Sequence, residues 1–247
     1  TLIAQAVSAV LVTVTLLYRT VVMKLCLSQI RMYKRMLQSI LKIGLPAGFE
    51  AIMYSISNII VQVSINNFGV DTMAAWTAYS KIDFIFWMIN SAFGISVMTF
   101  VGQNYGAGKW DRIRRGTKIC LGMALISAVS VSIILMSAER FLFGIFVNDV
   151  GVVEIGIRMM NVIAPAYLLF AFIEVFSGAL RAQGAVVVST LITMVGICVL
   201  RMIWVTLVAA HGTLEQVIIC YPITWAAGAL AMSIYYIYKQ RKIFQAR

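Results

Sequence analysis

Five ionisable side chains, Glu50, Lys81, Asp83, Glu174 and Arg201, lie inside stretches that are otherwise apolar. A charge at the centre of a lipid layer costs about 3 kcal/mol or more, so each needs a partner or a task. Glu50 lies six residues into its apolar stretch, and Glu174 seven residues before Arg181 at the end of another. Helical rise then puts both carboxylates about 10 Å from the same membrane face. Two carboxylates at one level repel, and a proton or sodium ion bound between them removes the repulsion. Glu50 and Glu174 are therefore candidates for coupling a cation gradient to other work. The alternative is that each is hydrogen-bonded separately, Glu174 to Arg181 or to a backbone group.

Glu50 also opens a stripe at four-residue spacing: Glu50, Tyr54, Asn58, Gln62. A lipid-facing helix would not carry it, so this face turns inward, to line a wet cavity or to make interhelical hydrogen bonds. Deeper in the layer, Lys81 and Asp83 are two residues apart and point to different faces, so they cannot pair well. Asp83 with Arg201 is the expected structural ion pair. Tyr54, Asn58, Gln62, Asp83 and Trp87 are the expected cavity-lining residues. The aromatics Trp76, Tyr79, Phe84, Phe86 and Trp87 read first as packing, with interface anchoring or a place in a substrate pocket as the alternatives. No catalytic constellation is present: GxSxG, HExxH and GK[ST] are all missing, and the lone His211 falls in a loop, HGTLEQ. Cys26, Cys120, Cys198 and Cys220 have no CxxC spacing and read as small apolar residues, with no metal and no cofactor expected.

The elements that must position these residues follow from charge and hydropathy. The chain is 62% hydrophobic and only 12% charged, against about 25% in soluble domains. Residues 1–18, 119–138 and 217–238 carry no charge. Each is long enough, as a helix, to cross a hydrocarbon layer of about 30 Å. Period-two alternation is missing, so the spans are helices and not barrel strands. The expected class is all-α, a polytopic membrane bundle of about seven helices near 1–18, 44–66, 72–100, 119–138, 159–180, 185–210 and 214–238. Between them come a basic amphipathic connector (19–42), a Gly-rich loop (101–108) and an interfacial stretch (139–158). The division expected is a leading helix (1–18), the connector, a six-helix lobe (43–238) and a basic tail (239–247). The connector, segment 101–118, the 181–184 turn and the tail hold 16 of the 20 Lys and Arg residues. That asymmetry predicts these segments on the cytoplasmic side of a plasma (inner) membrane. The formal charge of +11 then reflects orientation and anionic lipid, not nucleic acid. The chain opens on Thr1 within an apolar run, which reads as a piece of a longer protein.

Three segments carry a resemblance. VGQNYGAGKWDRIRR (Val101–Arg115), with Gly102, Gln103, Gly106 and Ala107, resembles the GQxxGA pattern of multidrug and toxic compound extrusion (MATE) transporters. IGLPAGFE (Ile43–Glu50) is similar to the start of that family's seventh helix, and SGALRAQG (Ser177–Gly184) to the end of its tenth. The resemblance implies one lobe of two, with a missing N-terminal six-helix lobe as partner. It further implies antiport: Na+ or H+ exchanged, by alternating access, for small amphipathic, often cationic compounds. Glu50 and Glu174 would lie on the helices that carry the family's second-lobe cation site, with Tyr54 and Phe170 nearer the family positions. The coupling carboxylate of the missing lobe is the other choice. A lipid-linked oligosaccharide flippase of the same superfamily is the alternative function; a non-transporting lobe or an intramembrane enzyme is weaker.

Overall fold

The computed structural model describes residues 2–18, 31–208 and 212–245. Expectations for 19–30, including Cys26, and for His211 lie outside the described residues. Every regular element described is helical. The chain divides into two compact units, Thr1–Lys42 and Ile43–Arg247. The first contains α1 (Leu2–Tyr18) and the opening turns of α2 (Lys34–Asn66). The second contains the rest of α2, then α3 (Val70–Gly106), α4 (Trp110–Ser137), α5 (Glu139–Gly144), α6 (Val150–Ile163), α7 (Tyr167–Ala182), α8 (Val186–Thr193), α9 (Leu200–Ile203), α10 (Leu214–Ile218) and α11 (Cys220–Gln245).

Six helical rods among the described residues are long and apolar enough to span a membrane, while α1, at 17 residues, is shorter. Many large apolar side chains point outward: Ile126, Ile133, Leu230 and Ile234 are all more than half exposed. Outside a bilayer such a surface would aggregate. The protein is an integral membrane helix bundle.

Several boundaries differ from those expected. The second span begins ten residues early, at Lys34, so Pro46 lies inside the helix, where it cannot donate to the Lys42 carbonyl. The segment expected as a loop, 101–108, is helical through Gly106. It ends in a reversed turn: Gly108 has φ +67°, and Lys109 N–H donates to the Asn104 carbonyl at 2.8 Å. This is a Schellman-type stop, which needs the left-handed residue glycine supplies. Gly184, at φ +77°, ends α7 in the same way, with Ala185 N–H on the Leu180 carbonyl at 2.9 Å. The tail is helical as far as Gln245, since nothing before that point stops a helix.

The interfacial stretch 139–158 resolves into short α5 and the first turns of α6. Asp149 caps α6, its carboxylate accepting from Gly151 N–H at 2.7 Å and Val152 N–H at 3.2 Å. From Val150 the rod continues to Ala182 through one 3₁₀ turn, Ala164–Ala166, at Pro165. Proline lacks the amide proton that an α-helical turn uses, and Ser132 Oγ from α4 donates to the Ala164 carbonyl at this point. The sixth span, expected over 185–210, runs through wider π-helical turns, Met194–Val199 and Trp204–Val208, on either side of α9.

Helices α3 and α7 cross at the centre of the lobe through glycine. A Cβ on Gly178 would stand 2.8 Å from the Gly94 carbonyl oxygen. Without side chains there, backbones approach closely, which is how membrane helices pack when no hydrophobic force draws them together. The crossing sets the positions of Glu174 on α7 and Asp83 on α3.

Candidate functional site

Glu50, Glu174, Asp83 and the polar stripe of α2 line two neighbouring cavities. Glu50 and Glu174 line the first, about 300 Å³ in volume, together with Tyr54, Gly94, Ser177, Arg181 and Thr193. Their charges are treated differently. Arg181 Nη2 donates to both Glu50 carboxylate oxygens, at 2.6 and 2.8 Å. Thr190 Oγ1 donates to Oε2 at 2.9 Å. Glu50 is thus fixed by two other helices and neutralised by one cation. Arg181 therefore pairs with Glu50 and is not the hydrogen-bond partner of Glu174 considered from the sequence. The Glu174 carboxyl lies in the space that a side chain on Gly94 would fill. Among the described residues no donor holds it within hydrogen-bond distance. The cavity therefore contains two carboxylates and one guanidinium, with hydroxyls from Ser177 and Thr193 on its wall. Oxygen donors of this kind suit a proton or a hard cation.

The second cavity, about 400 Å³, is lined by Tyr54, Asn58, Gln62, Trp76, Ser80, Asp83, Phe84, Trp87 and Tyr221. Tyr54 belongs to both cavities, so Glu50, Tyr54, Asn58 and Gln62 follow one another along their joint wall. Asp83 accepts from Trp87 Nε1 at 2.6 Å and from the Tyr167 hydroxyl. Tyr167 OH is in turn 3.2 Å from Tyr79 OH. The Tyr167 ring is clamped by Phe86, stacked at 3.8 Å between centroids.

The expected Asp83–Arg201 ion pair is not formed. Arg201 is fully buried, donates from Nη1 to Asn58 Oδ1 at 3.1 Å, and lies over the Tyr221 ring at 4.3 Å. Its Nε and Nη2 have no protein partner among the described residues. The π-electron face of Tyr221 supplies part of what a carboxylate would. The physical reason for the mismatch is that Asp83 already receives two protein donors, and hydroxyl and indole donors satisfy a carboxylate without a cation. Lys81 lines neither of the two cavities. It is exposed, with Nζ 5.3 Å from the Phe146 ring centroid.

The GQxxGA residues line neither cavity. Gly102 faces Ala182 at the end of α7, with 4.0 Å between a Cβ built on it and the alanine Cβ. Gln103 and Asn104 supply carbonyls to the turn that ends α3. Tyr167, Tyr221 and Thr190 contribute to the site and are not singled out for it by the sequence, while Tyr79, read first as packing, joins it through Tyr167. A hydroxyl in an apolar stretch was their only signal.

A family model described as MatE matches residues 46–207. The probable multidrug resistance protein YoeA of Bacillus subtilis is 25% identical over 219 residues, 87% of this chain and 47% of that protein. Human multidrug and toxin extrusion protein 1 is 22% identical over 158 residues, 62% of this chain and 28% of that protein. The chain spans about half the length of YoeA and of a second Bacillus subtilis relative, YpnP, 47% of each. A solved outward-facing conformation of a multidrug resistance MATE family transporter of the MOP superfamily has the same fold. It gives a TM-score of 0.88 at 16% identity, over 99% of this chain and 55% of that one. A MOP superfamily transporter from Pyrococcus furiosus, whose binding pocket is described as having reversed polarity, gives 0.75 at 16% identity over 81% of this chain and 45% of that one.

Proposed function

This chain belongs to the MatE family, and from that premise we propose that it forms one lobe of a cation-coupled multidrug exporter. Members of the family are secondary transporters and not enzymes. Relatives carry multidrug resistance and multidrug export names, YoeA of Bacillus subtilis and MepA of Staphylococcus saprophyticus among them. The exporter moves amphipathic, often cationic compounds outward in exchange for Na+ or H+ by alternating access, with a second six-helix lobe completing the pathway. The basic turns and the C-terminus face the cytosol, and the membrane is the plasma (inner) membrane.

The observation that carries the coupling reading is the unequal treatment of two carboxylates in one cavity. Glu50 is balanced by Arg181 and Thr190. Glu174 shares that cavity without such a partner, so its charge is the one left for a mobile cation to balance. Loading and release of that cation at Glu174 change the net charge of the cavity by one. A conformation that buries the cavity is stabilised only when the charge is balanced, because an uncompensated charge is expensive in a dry interior. Substrate would enter by the second cavity, where Asp83 and the rings of Trp76, Phe84, Trp87 and Tyr221 suit an amphipathic cation.

Arg201 favours a second reading, a flippase for a pyrophosphate-linked oligosaccharide lipid. It is a buried guanidinium with unused donors. It does not line the second cavity, and Asp83 does, so the drug-export reading stands first.

The test uses the full-length transporter in proteoliposomes, with ethidium as the probe and an imposed Na+ or H+ gradient. Glu174→Gln is expected to abolish gradient-driven efflux while retaining ethidium binding. Full efflux by Glu174→Gln would reject Glu174 as the coupling group. Efflux that ignores both gradients in the unmodified protein would reject cation coupling, and absence of any efflux would reject the exporter.

A further inference from the structure

We propose that the basic ends of α4 and α11 form a headgroup site for an anionic phospholipid. A cavity of about 300 Å³ lies between these helices, lined by Arg114, Lys118, Tyr236, Ile237, Gln240 and Arg241. Three cationic side chains converge on it, and no acidic side chain belongs to its wall. Arg114 and Lys118 are four residues apart and share a face of α4.

Two polar side chains of the wall, Tyr236 and Gln240, are held in place. Tyr236 is 7% exposed, and its hydroxyl lies near Thr117 of α4 but makes no hydrogen bond of full geometry among the described residues. Its ring is stacked on Phe176 at 4.5 Å between centroids, so the hydroxyl cannot swing away to find water. A buried hydroxyl paired only weakly forgoes part of the roughly 1 kcal/mol that a full hydrogen bond contributes. A phosphate oxygen entering the cavity would restore that contribution. Gln240 is held by a 3.0 Å bond from its Nε2 to Gln183 Oε1, and Lys239 Nζ donates to the Gln183 carbonyl at 3.0 Å. These bonds tie this end of α11 to the turn after α7.

The recognised chemistry is a phosphate group, and the position selects a phospholipid over phosphate in solution. Both apolar stretches end here: 119–138 begins beside Lys118, and 217–238 ends beside Lys239. The cavity is therefore level with lipid headgroups. From Arg241, the residues Ile237, Ile234 and Leu230 continue along the same face of α11. They are 50%, 59% and 65% exposed, a track of about 16 Å on which an acyl chain can lie. Basic pockets between spanning helices are common seats for anionic headgroups.

The experiment measures lipid retention by native mass spectrometry and thermal unfolding in detergent, on the full-length transporter. The probes are dioleoylphosphatidylglycerol, dioleoylphosphatidylcholine and glycerol 1-phosphate. The pocket variant is Arg114→Gln/Lys118→Gln/Arg241→Gln. The control, Arg112→Gln/Arg115→Gln/Lys242→Gln, removes equal charge from exposed positions of the same helices. Expected is retention of the glycerol lipid over the choline lipid, lowered at least about tenfold in the pocket variant and little changed in the control. Tyr236→Phe keeps the fold and is expected to lower retention about threefold. Equal losses in pocket variant and control would overturn the site in favour of diffuse attraction. Equal stabilisation by glycerol 1-phosphate and by the lipid would overturn the lipid as its occupant.

Discussion

Replacing Arg181 with Gln withdraws the one cation bonded to Glu50. The pair is largely shielded, with side-chain exposures of 29% for Arg181 and 13% for Glu50. Both carboxylate oxygens accept from Nη2. After the substitution only Thr190 Oγ1 remains as a donor. Breaking a buried pair from one side costs about 3–5 kcal/mol, because the other charge is left uncompensated. Partial exposure of Arg181 places the expected loss near the lower limit, about 3 kcal/mol. Glu50→Gln in the same background removes the orphaned charge, so the double variant should recover much of the loss. The assay is a double-mutant cycle from reversible unfolding in mixed micelles. A coupling energy of about 2 kcal/mol or more is expected. Additive losses, within about 0.5 kcal/mol, would refute the assignment of Arg181 to Glu50 and with it the reasoning that leaves Glu174 unbalanced.

Three further outcomes follow from the geometry. Gly178→Ala places a Cβ 2.8 Å from the Gly94 carbonyl oxygen and should destabilise the lobe by about 1–3 kcal/mol. Gly122→Ala, with nothing within 4 Å, is the neutral control, and thermal unfolding compares them. Tyr167→Phe removes a donor to Asp83 and the hydroxyl contact with Tyr79; a loss of about 1–3 kcal/mol is expected in the same assay. Asp83→Asn should weaken binding of a cationic dye about tenfold, roughly 1.4 kcal/mol, while affinity for a neutral dye of similar shape changes little. Equal effects on both dyes in equilibrium titration would remove Asp83 from cation recognition.

The number and order of the spans were legible because charge is excluded from hydrocarbon and gathers at span ends. Helix ends were less legible, since a helix continues past the lipid wherever nothing stops it. Lys34–Lys42 and the tail to Gln245 are helical for that reason. The stops after α3 and α7 depend on Gly108 and Gly184 at positive φ, a conformational property that hydropathy does not register. Depth arithmetic placed Glu50 and Glu174 at one level, and the structure puts both on one cavity. It could not say which carboxylate Arg181 would take, because that depends on the rotation of α7 against α2. In the sequence, opposite charge and similar depth match Arg201 with Asp83. Its actual partners, Tyr167 and Trp87, were hidden because aromatic residues in an apolar run read first as packing. The link from Asp83 to Tyr167 also requires the close crossing of α3 and α7 at Gly94 and Gly178, which two isolated glycines do not announce.

The most direct test of the coupling claim is ion movement evoked by substrate. Full-length transporter is reconstituted with no imposed gradient, ethidium is added to one side, and Na+ and H+ release are followed together. The account predicts that the unmodified protein releases one of the two ions in fixed proportion to dye moved, and that Glu174→Gln binds dye but releases neither. Ion release by Glu174→Gln in the proportion shown by the unmodified protein would contradict it.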